Sequence, residues 1–322
     1  MKTVVMRNIG DVDVLEYVDR RDPTPWPGEV LVGVAAAGVN FMDIVVRQGV
    51  AWTGVSNPKP LGVEGAGRVL AVGEGVSDFA VGDRVAWAYA PGSYAEQITM
   101  PAESLVPLPD DIDFRTAASV MMNGLTASHF ATEFYPVQEG DIALVHSAAG
   151  GVGSLLTQII KLRGGRVIGR VSSEAKRRVA MEAGVDNLLV DSGGTFVSAV
   201  MRLTNGEGVH VVYGGAGPAS FKASLRALRR AGTYCWPGPL LEPSRAIELF
   251  SLPNSIKIGF AVFADHIRTP ALLRQRSASL FDWVRQGKLK AFSGGEYALS
   301  DAAHAHADLG SRKTSGKLIL IP

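Results

Sequence analysis

The chain has 322 residues, 47% of them hydrophobic and 20% charged, and its 32 Lys plus Arg against 31 Asp plus Glu leave a net charge of +1. That length suits about two domains, the apolar content excludes disorder as the dominant state, and near neutrality argues against a dedicated nucleic-acid binder. A single cysteine, Cys235, excludes an intrachain disulfide framework and any site of several thiolates.

The opening Met1-Lys2-Thr3-Val4-Val5 soon meets Arg7 and Asp11, so no signal-peptide core is expected. No uninterrupted apolar run reaches the ~18 residues of a membrane span. A reducing, cytoplasmic location is the expectation. Up to about Met121, short apolar runs alternate with turns. Residues 30–36 lie between Pro27-Gly28 and Gly38, residues 63–72 end at Gly73-Glu74-Gly75, and Gly82-Asp83-Arg84-Val85 opens another strand. Pro107, Pro109 and Asp110 close the region, which reads as a β-rich unit.

The pattern then changes. Residues 116–134 have helical spacing, and the apolar run 142–146 leads into Ala148-Ala149-Gly150-Gly151-Val152-Gly153. Helices are predicted over 154–162, from Ser172 or Ser173 to about 183, over 196–203 and over 221–228. Strands are predicted over 167–171, 185–190, 209–213, 232–236 and 255–263. This alternation predicts an α/β, doubly wound parallel sheet, a Rossmann domain over 122–263. Residues 264–322 add a helix over 271–285 and an apolar strand over 317–321 that returns to the first domain, 1–121.

The turn at 148–153 carries the first chemistry. Ala149, Gly150, Gly151, Val152 and Gly153 join a strand to a helix, where backbone N–H groups can cradle a pyrophosphate. Ala148 replaces the first glycine of the G-x-G-x-x-G pattern, and the competing reading is a ligand-free turn. About 20 residues on, where an NAD site has an acid, stand Gly169-Arg170-Val171-Ser172-Ser173. With Lys176, Arg177 and Arg178, these hydroxyls and cations favour a 2′-phosphate, hence NADPH over NADH. The bland reading of 176–178 is a solvated helix face.

Gly38-Val39-Asn40-Phe41-Met42-Asp43 and Gly62-Val63-Glu64-Gly65-Ala66-Gly67 resemble the medium-chain dehydrogenase/reductase superfamily, in its zinc-free, zeta-crystallin-like quinone oxidoreductase branch. So do Gly82-Asp83-Arg84-Val85, Gly124-Leu125-Thr126-Ala127, His146 ahead of the glycine loop, and the closing run 311–320. The resemblance spans the chain and implies a GroES-like catalytic domain beside the Rossmann domain. Zinc-dependent relatives carry cysteine at Asn40 and histidine at Val63, and neither an amide nor an isopropyl group replaces those ligands. Glu64 alone does not make a site, and His304 and His306, two apart on a helix, diverge. No metal is expected.

Without a Lewis acid, the feasible reaction is hydride delivery to a quinone or conjugated enone. Asn40 is the expected hydrogen-bond donor to the developing oxyanion, pointing into the interdomain cleft, and Asp43 orients it or holds a water. The alternative is that Asn40 or Asp43 merely caps a short helix over 43–47. Trp52, Tyr89 and Tyr94 are candidate stacking faces, or ordinary packing. The resemblance further implies Met122 at the substrate, Asn123 and Thr126 at the nicotinamide, Phe260 and Phe263 on the sixth strand beside it, and Arg312 at the adenosine phosphate. It implies a homodimer joined through the sixth strands.

Three departures stand out. Asp191 replaces an aromatic by the adenosine end. At about 5 Å and an effective dielectric near 20, a free carboxylate there would repel a 2′-phosphate by about 3 kcal/mol per charge before screening. Tyr213-Gly214 replaces Tyr-Asp, and Trp236-Pro237-Gly238 replaces a Ser-Phe-Gly-like turn. Two other functions compete: a 2-enoyl thioester reductase, which commonly needs a Tyr donor not found between Asn40 and Gly49, and a cofactor-binding protein with little turnover.

Overall fold

The computed structural model describes residues 1–52, 58–191, 195–214, 217–236 and 247–322. Pro237 and Gly238 of the third departure lie outside them. The chain divides into two compact units. One holds Met1–Leu125, Ala264–Gly287 and Ser293–Pro322, and the other holds Thr126–Phe263 and Lys288–Phe292.

In the second unit, six strands run parallel: Ile142–His146, Arg166–Val171, Asn187–Val190, Val209–Tyr213, Leu228–Trp236 and Lys257–Phe260. Numbered by appearance, they lie in the order 3-2-1-4-5-6. This is the doubly wound order expected of a dinucleotide-binding sheet, with its switch point between the first and fourth strands. The strands are apolar on both faces because helices cover both. Leu144, Ile168, Val212 and Leu228 pack there with Phe196 and Val200 of the Phe196–Leu203 helix.

Two expectations need correction here. The sixth strand ends at Phe260, and Phe263 opens the short helix Phe263–His266. The Ala261 N–H bonds Trp236 O at 3.1 Å, after which the chain leaves the sheet. The long helix stays α-helical only over Phe114–His129 and widens to a π turn over Phe130–Phe134.

The first unit is built on the 11-residue strand Glu29–Val39, the centre of a seven-stranded sheet. One edge pairs with Glu64–Val72. The other pairs with Gln97–Pro101 and, further along, with Lys317–Ile321, all antiparallel. Val30, Val32, Trp87, Tyr94, Leu105, Leu318 and Leu320 form its core. A three-stranded sheet joins Leu15–Asp19, Lys2–Met6 and Lys59–Pro60. Ser293–Ala298, a Gly-containing strand without apolar alternation, pairs parallel to Lys317–Ile321 and was not foreseen. Among the described residues, no helix is long and apolar enough to cross a membrane.

Candidate active site

The strand Glu29–Val39 ends where the helix Phe41–Arg47 begins, and Asn40 is its N-cap. Asp43 reaches back, its Oδ2 accepting the Asn40 N–H at 2.7 Å, one half of a capping box. The capping reading therefore describes the backbone, while the Asn40 side chain does something else. Its Nδ2 donates to Glu64 Oε2 at 2.9 Å and to Gly38 O at 3.3 Å, and its Oδ1 accepts from Lys317 Nζ at 2.7 Å. An ammonium only donates and a carboxylate only accepts, which fixes the amide orientation. Lys317 also pairs with Glu64 Oε2 at 2.5 Å, and Glu64 Oε1 accepts the Met122 N–H at 2.7 Å. Both charges are buried, so the pair is compensated within itself. A Cβ on Gly38 would lie 2.3 Å from Glu64 Oε2, so that position admits only glycine.

Both Asn40 amide hydrogens are thus engaged. Sequence reasoning passed over Lys317, which appears there only as a charge opening an apolar strand. The register that pairs Leu318 with Val39 brings it to Asn40.

A second chain of bonds runs from Asp43. Tyr94 OH donates to Asp43 Oδ2 at 2.9 Å and lies 3.1 Å from His306 Nε2. Arg47 NH1 lies 3.4 Å from His306 Nδ1, and Arg47 NH2 reaches Asp11 at 3.3 Å. Arginine can only donate, so Nδ1 accepts and Nε2 carries the hydrogen toward the Tyr94 oxygen, a tautomer assigned from these partners. Asp43 Oδ1 is buried and has no hydrogen-bond partner among the described residues. Burial pushes the Asp43 carboxyl up to about 7, against the opposing pull of the Asn40 N–H and Tyr94 OH. Burial, then Arg47, pushes His306 down to about 3, so its ring is neutral.

Tyr94 is therefore not a stacking face: it is fully buried and tied to Asp43. Trp52 and Tyr89 do meet, ring edge to ring face, with centroids 5.1 Å apart. The Lys59 ammonium donates to the Trp52 carbonyl. His304 and His306 diverge as expected. The first is 70% exposed beside Asp308, and the second is in the core.

The second unit carries the glycine loop. Gly150 N–H bonds Ser147 O at 2.8 Å, and the first intrahelical bond of Gly151–Leu162 runs from Ser154 N to Gly150 O. The N–H groups of Gly151, Val152 and Gly153 precede that bond and form the positive end of the helix. A Cβ on Gly153 would lie 2.2 Å from Ser147 O, so only glycine lets the helix start this close to the strand. Ala149 is buried beneath, while Gly150, Gly151 and Val152 remain partly exposed. The cradle fits a pyrophosphate.

Beside it the second strand ends at Val171. Ser172 and Ser173 are exposed and Lys176 is half-buried. Arg177 pairs with Glu174 and Arg178 with Glu182 at 2.8 Å, so these two form the helix face of the bland reading. Arg170 is buried rather than open to a ligand, and its Nε lies 3.4 Å from Asp191 Oδ2. His146 Nε2 lies 2.8 Å from Ser224 Oγ, and burial with Arg170 pushes its ring down to about 3. The remaining candidates are scattered by burial: Asn123 and Met122 are buried, Thr126 and Phe263 half-buried, and Phe260 57% exposed. Arg312 is exposed at φ +57° in the turn after Ala302–Gly310.

Residues 26–110 match the alcohol dehydrogenase GroES-like domain family, and residues 151–275 match the zinc-binding dehydrogenase family. A quinone oxidoreductase of Pseudomonas aeruginosa is 36% identical over 100% of this chain and 99% of its own. The chain belongs to the quinone oxidoreductase branch of the medium-chain dehydrogenase/reductase superfamily. A 2-haloacrylate reductase of a Burkholderia species is 32% identical over 99% of this chain and 98% of its own. The crystal structure of Escherichia coli quinone oxidoreductase, a complex with NADPH, matches with a TM-score of 0.95. It is 31% identical and covers 100% of both chains. As a member of this branch the protein is an oxidoreductase, with the GroES-like and Rossmann folds its sequence implied.

Proposed function

We propose that the protein is an NADPH-dependent, metal-independent reductase of quinones or conjugated enones. The observation that carries this reading is the buried Asn40–Lys317–Glu64 cluster. An amide held by an ammonium and a carboxylate stands where zinc-dependent relatives place a thiolate, and the neighbouring Val63 is an apolar core residue. The glycine cradle supports a dinucleotide, and the NADPH complex of the E. coli relative supports NADPH.

In this reading the N–H groups at 150–153 hold the pyrophosphate, and Ser172, Ser173 and Lys176 hold the 2′-phosphate. Asn123, Thr126, Phe260, Phe263 and Arg312 serve the cofactor as the family resemblance implies. When bound, NADPH supplies hydride from C4 of its nicotinamide ring. The chain's own part is to manage charge on the acceptor. Lys317, bonded at Asn40 Oδ1, draws electron density from the amide and strengthens its N–H groups as donors. The hydrogen on the long 3.3 Å contact to Gly38 O is the one more readily redirected to a developing oxyanion. Asp43 holds a proton near neutral pH, and the Tyr94–His306 chain fixes that carboxyl in place. Trp52, Tyr89 and Met122 pack the acceptor. We also read the protein as cytoplasmic and as a homodimer; the dimer is supported by the sixth strand, which lies at the edge of its sheet among the described residues, and by the exposed Phe260 on it.

Stopped-flow oxidation of NADPH by quinones, enones and enoyl thioesters tests the proposal. Rapid loss of NADPH absorbance is expected with quinones or enones, unchanged by a chelator. Rapid loss only with enoyl thioesters would overturn the substrate class. Tight binding without turnover on any acceptor would make the protein a cofactor-binding protein.

A further inference from the structure

Two of the residues that depart from simple expectation meet in the structure. Arg170 lies one residue before the end of the second strand of the parallel sheet, in register with His146 on the first and Leu189 on the third. Its guanidinium stacks 4.8 Å over the Phe196 ring, and NH1 lies 3.4 Å from His146 Nδ1. Its Nε stands 3.4 Å from Asp191 Oδ2, an ion-pair separation outside hydrogen-bond geometry. The same Oδ2 accepts the Phe196 N–H at 3.0 Å, and the Asp191 N–H bonds Val171 O at 2.9 Å. The carboxylate is thereby held from two directions at the end of the third strand.

The position matters because of the sheet order. In a 3-2-1-4-5-6 sheet, the carboxyl ends of the first three strands face the adenosine half of a dinucleotide. An acid at the end of the second strand accepts from a ribose 2′-hydroxyl and selects the unphosphorylated cofactor; Asp191 sits one strand over, its N–H bonded to Val171 O beside Ser172. Asp191 is an acid in that neighbourhood, and Ser172, Ser173 and Lys176 are the hydroxyls and cation suited to a phosphate. Left unpaired, Asp191 would oppose them. Arg170 resolves the conflict: it is buried against Phe196 and paired with Asp191.

We propose that Arg170 and Asp191 act as one specificity-determining pair, in which Arg170 cancels and holds the Asp191 carboxylate so that the turn at 172–176 accepts a 2′-phosphate. This rests on the NADPH reading above and names the residues that would set it. Arg170 works here through Asp191 and does not itself touch the phosphate.

Titration calorimetry with adenosine 2′,5′-bisphosphate and adenosine 5′-monophosphate tests this without turnover. The wild-type protein is expected to bind the bisphosphate more tightly. Arg170→Met should weaken the bisphosphate by about tenfold or more while the monophosphate changes by less than about threefold. The double variant Arg170→Met/Asp191→Asn should recover the wild-type preference to within about threefold. A wild-type protein with no preference would sink the NADPH reading itself. A wild-type preference that survives in Arg170→Met would sink the pair alone. If Arg170→Met does not fold, the double variant still decides. Loss of preference there means that Arg170 meets the phosphate directly, and the proposal falls.

Discussion

Asp43 accepts two hydrogen bonds at one oxygen and none at the other, and burial outweighs both donors in setting its proton affinity. Its carboxyl moves from 3.8 to about 7 on folding, so between those values the folded chain binds a proton that the unfolded chain lacks. The stabilisation is complete below the unfolded value and is lost as pH rises through about 7. We expect the stability of the wild type minus that of Asp43→Asn to fall by up to about 1.4 kcal/mol per pH unit between roughly pH 4 and 7. It should be flat above. Urea unfolding of both proteins at several pH values checks this, and a difference independent of pH would place Asp43 in the ordinary carboxylate range. The depressed histidines, His146 and His306, act the other way, favouring the fold above 6.5 and losing that as pH falls toward 3. Asn40 and Asp43 could be singled out in the sequence because they stand three residues apart in one motif. Lys317 could not, and His306 drew notice only beside His304 and not for this chain of bonds, because their partners lie 277 and 212 residues away.

Local signals specified the elements well where the pattern is short-range. The glycine loop, the helix Phe196–Leu203 and the strands Val209–Tyr213 and Lys317–Ile321 follow from periodicity and turn residues alone. Elements fixed by their neighbours were not legible. Ser293–Ala298 is a strand because Lys317–Ile321 offers it an edge, and Phe263 leaves the sixth strand because the sheet bond at Ala261 is the last. The helix Pro270–Arg285 is the converse case, with its start written in two residues. Thr269 Oγ1 accepts the Leu272 N–H at 3.2 Å, and Pro270 occupies the first turn, where its missing N–H is not needed. Thr269→Ala should lower stability by about 1 kcal/mol, as read by chemical denaturation, and Thr269→Ser should retain most of it. An unchanged midpoint for the alanine variant would remove the cap from the account of this helix.

At the scale of the whole molecule, the strand-helix alternation already specified the doubly wound sheet, because each crossover has one favoured hand. The first unit was harder to read, since its sheet gathers strands from both ends of the chain. The six-stranded sheet leaves Lys257–Phe260 at an edge, with Phe260 exposed on it. Natural edges of this kind are paired, charged or covered. Sedimentation should therefore find the wild type at dimer mass and Phe260→Asp at monomer mass with unchanged circular dichroism. A monomeric wild type would refute the pairing.

The closing strand also sets an order of events during synthesis. Glu64 emerges from the ribosome 253 residues before Lys317, its buried counter-ion. At ordinary translation rates that gap lasts roughly 13–50 s. Throughout it the GroES-like unit lacks both the strand that covers residues 37–39 and the cation that makes burial of Glu64 tolerable. The Rossmann strands emerge within that interval, so the nascent chain can complete its six-stranded parallel sheet first and close the Glu64–Lys317 pair last.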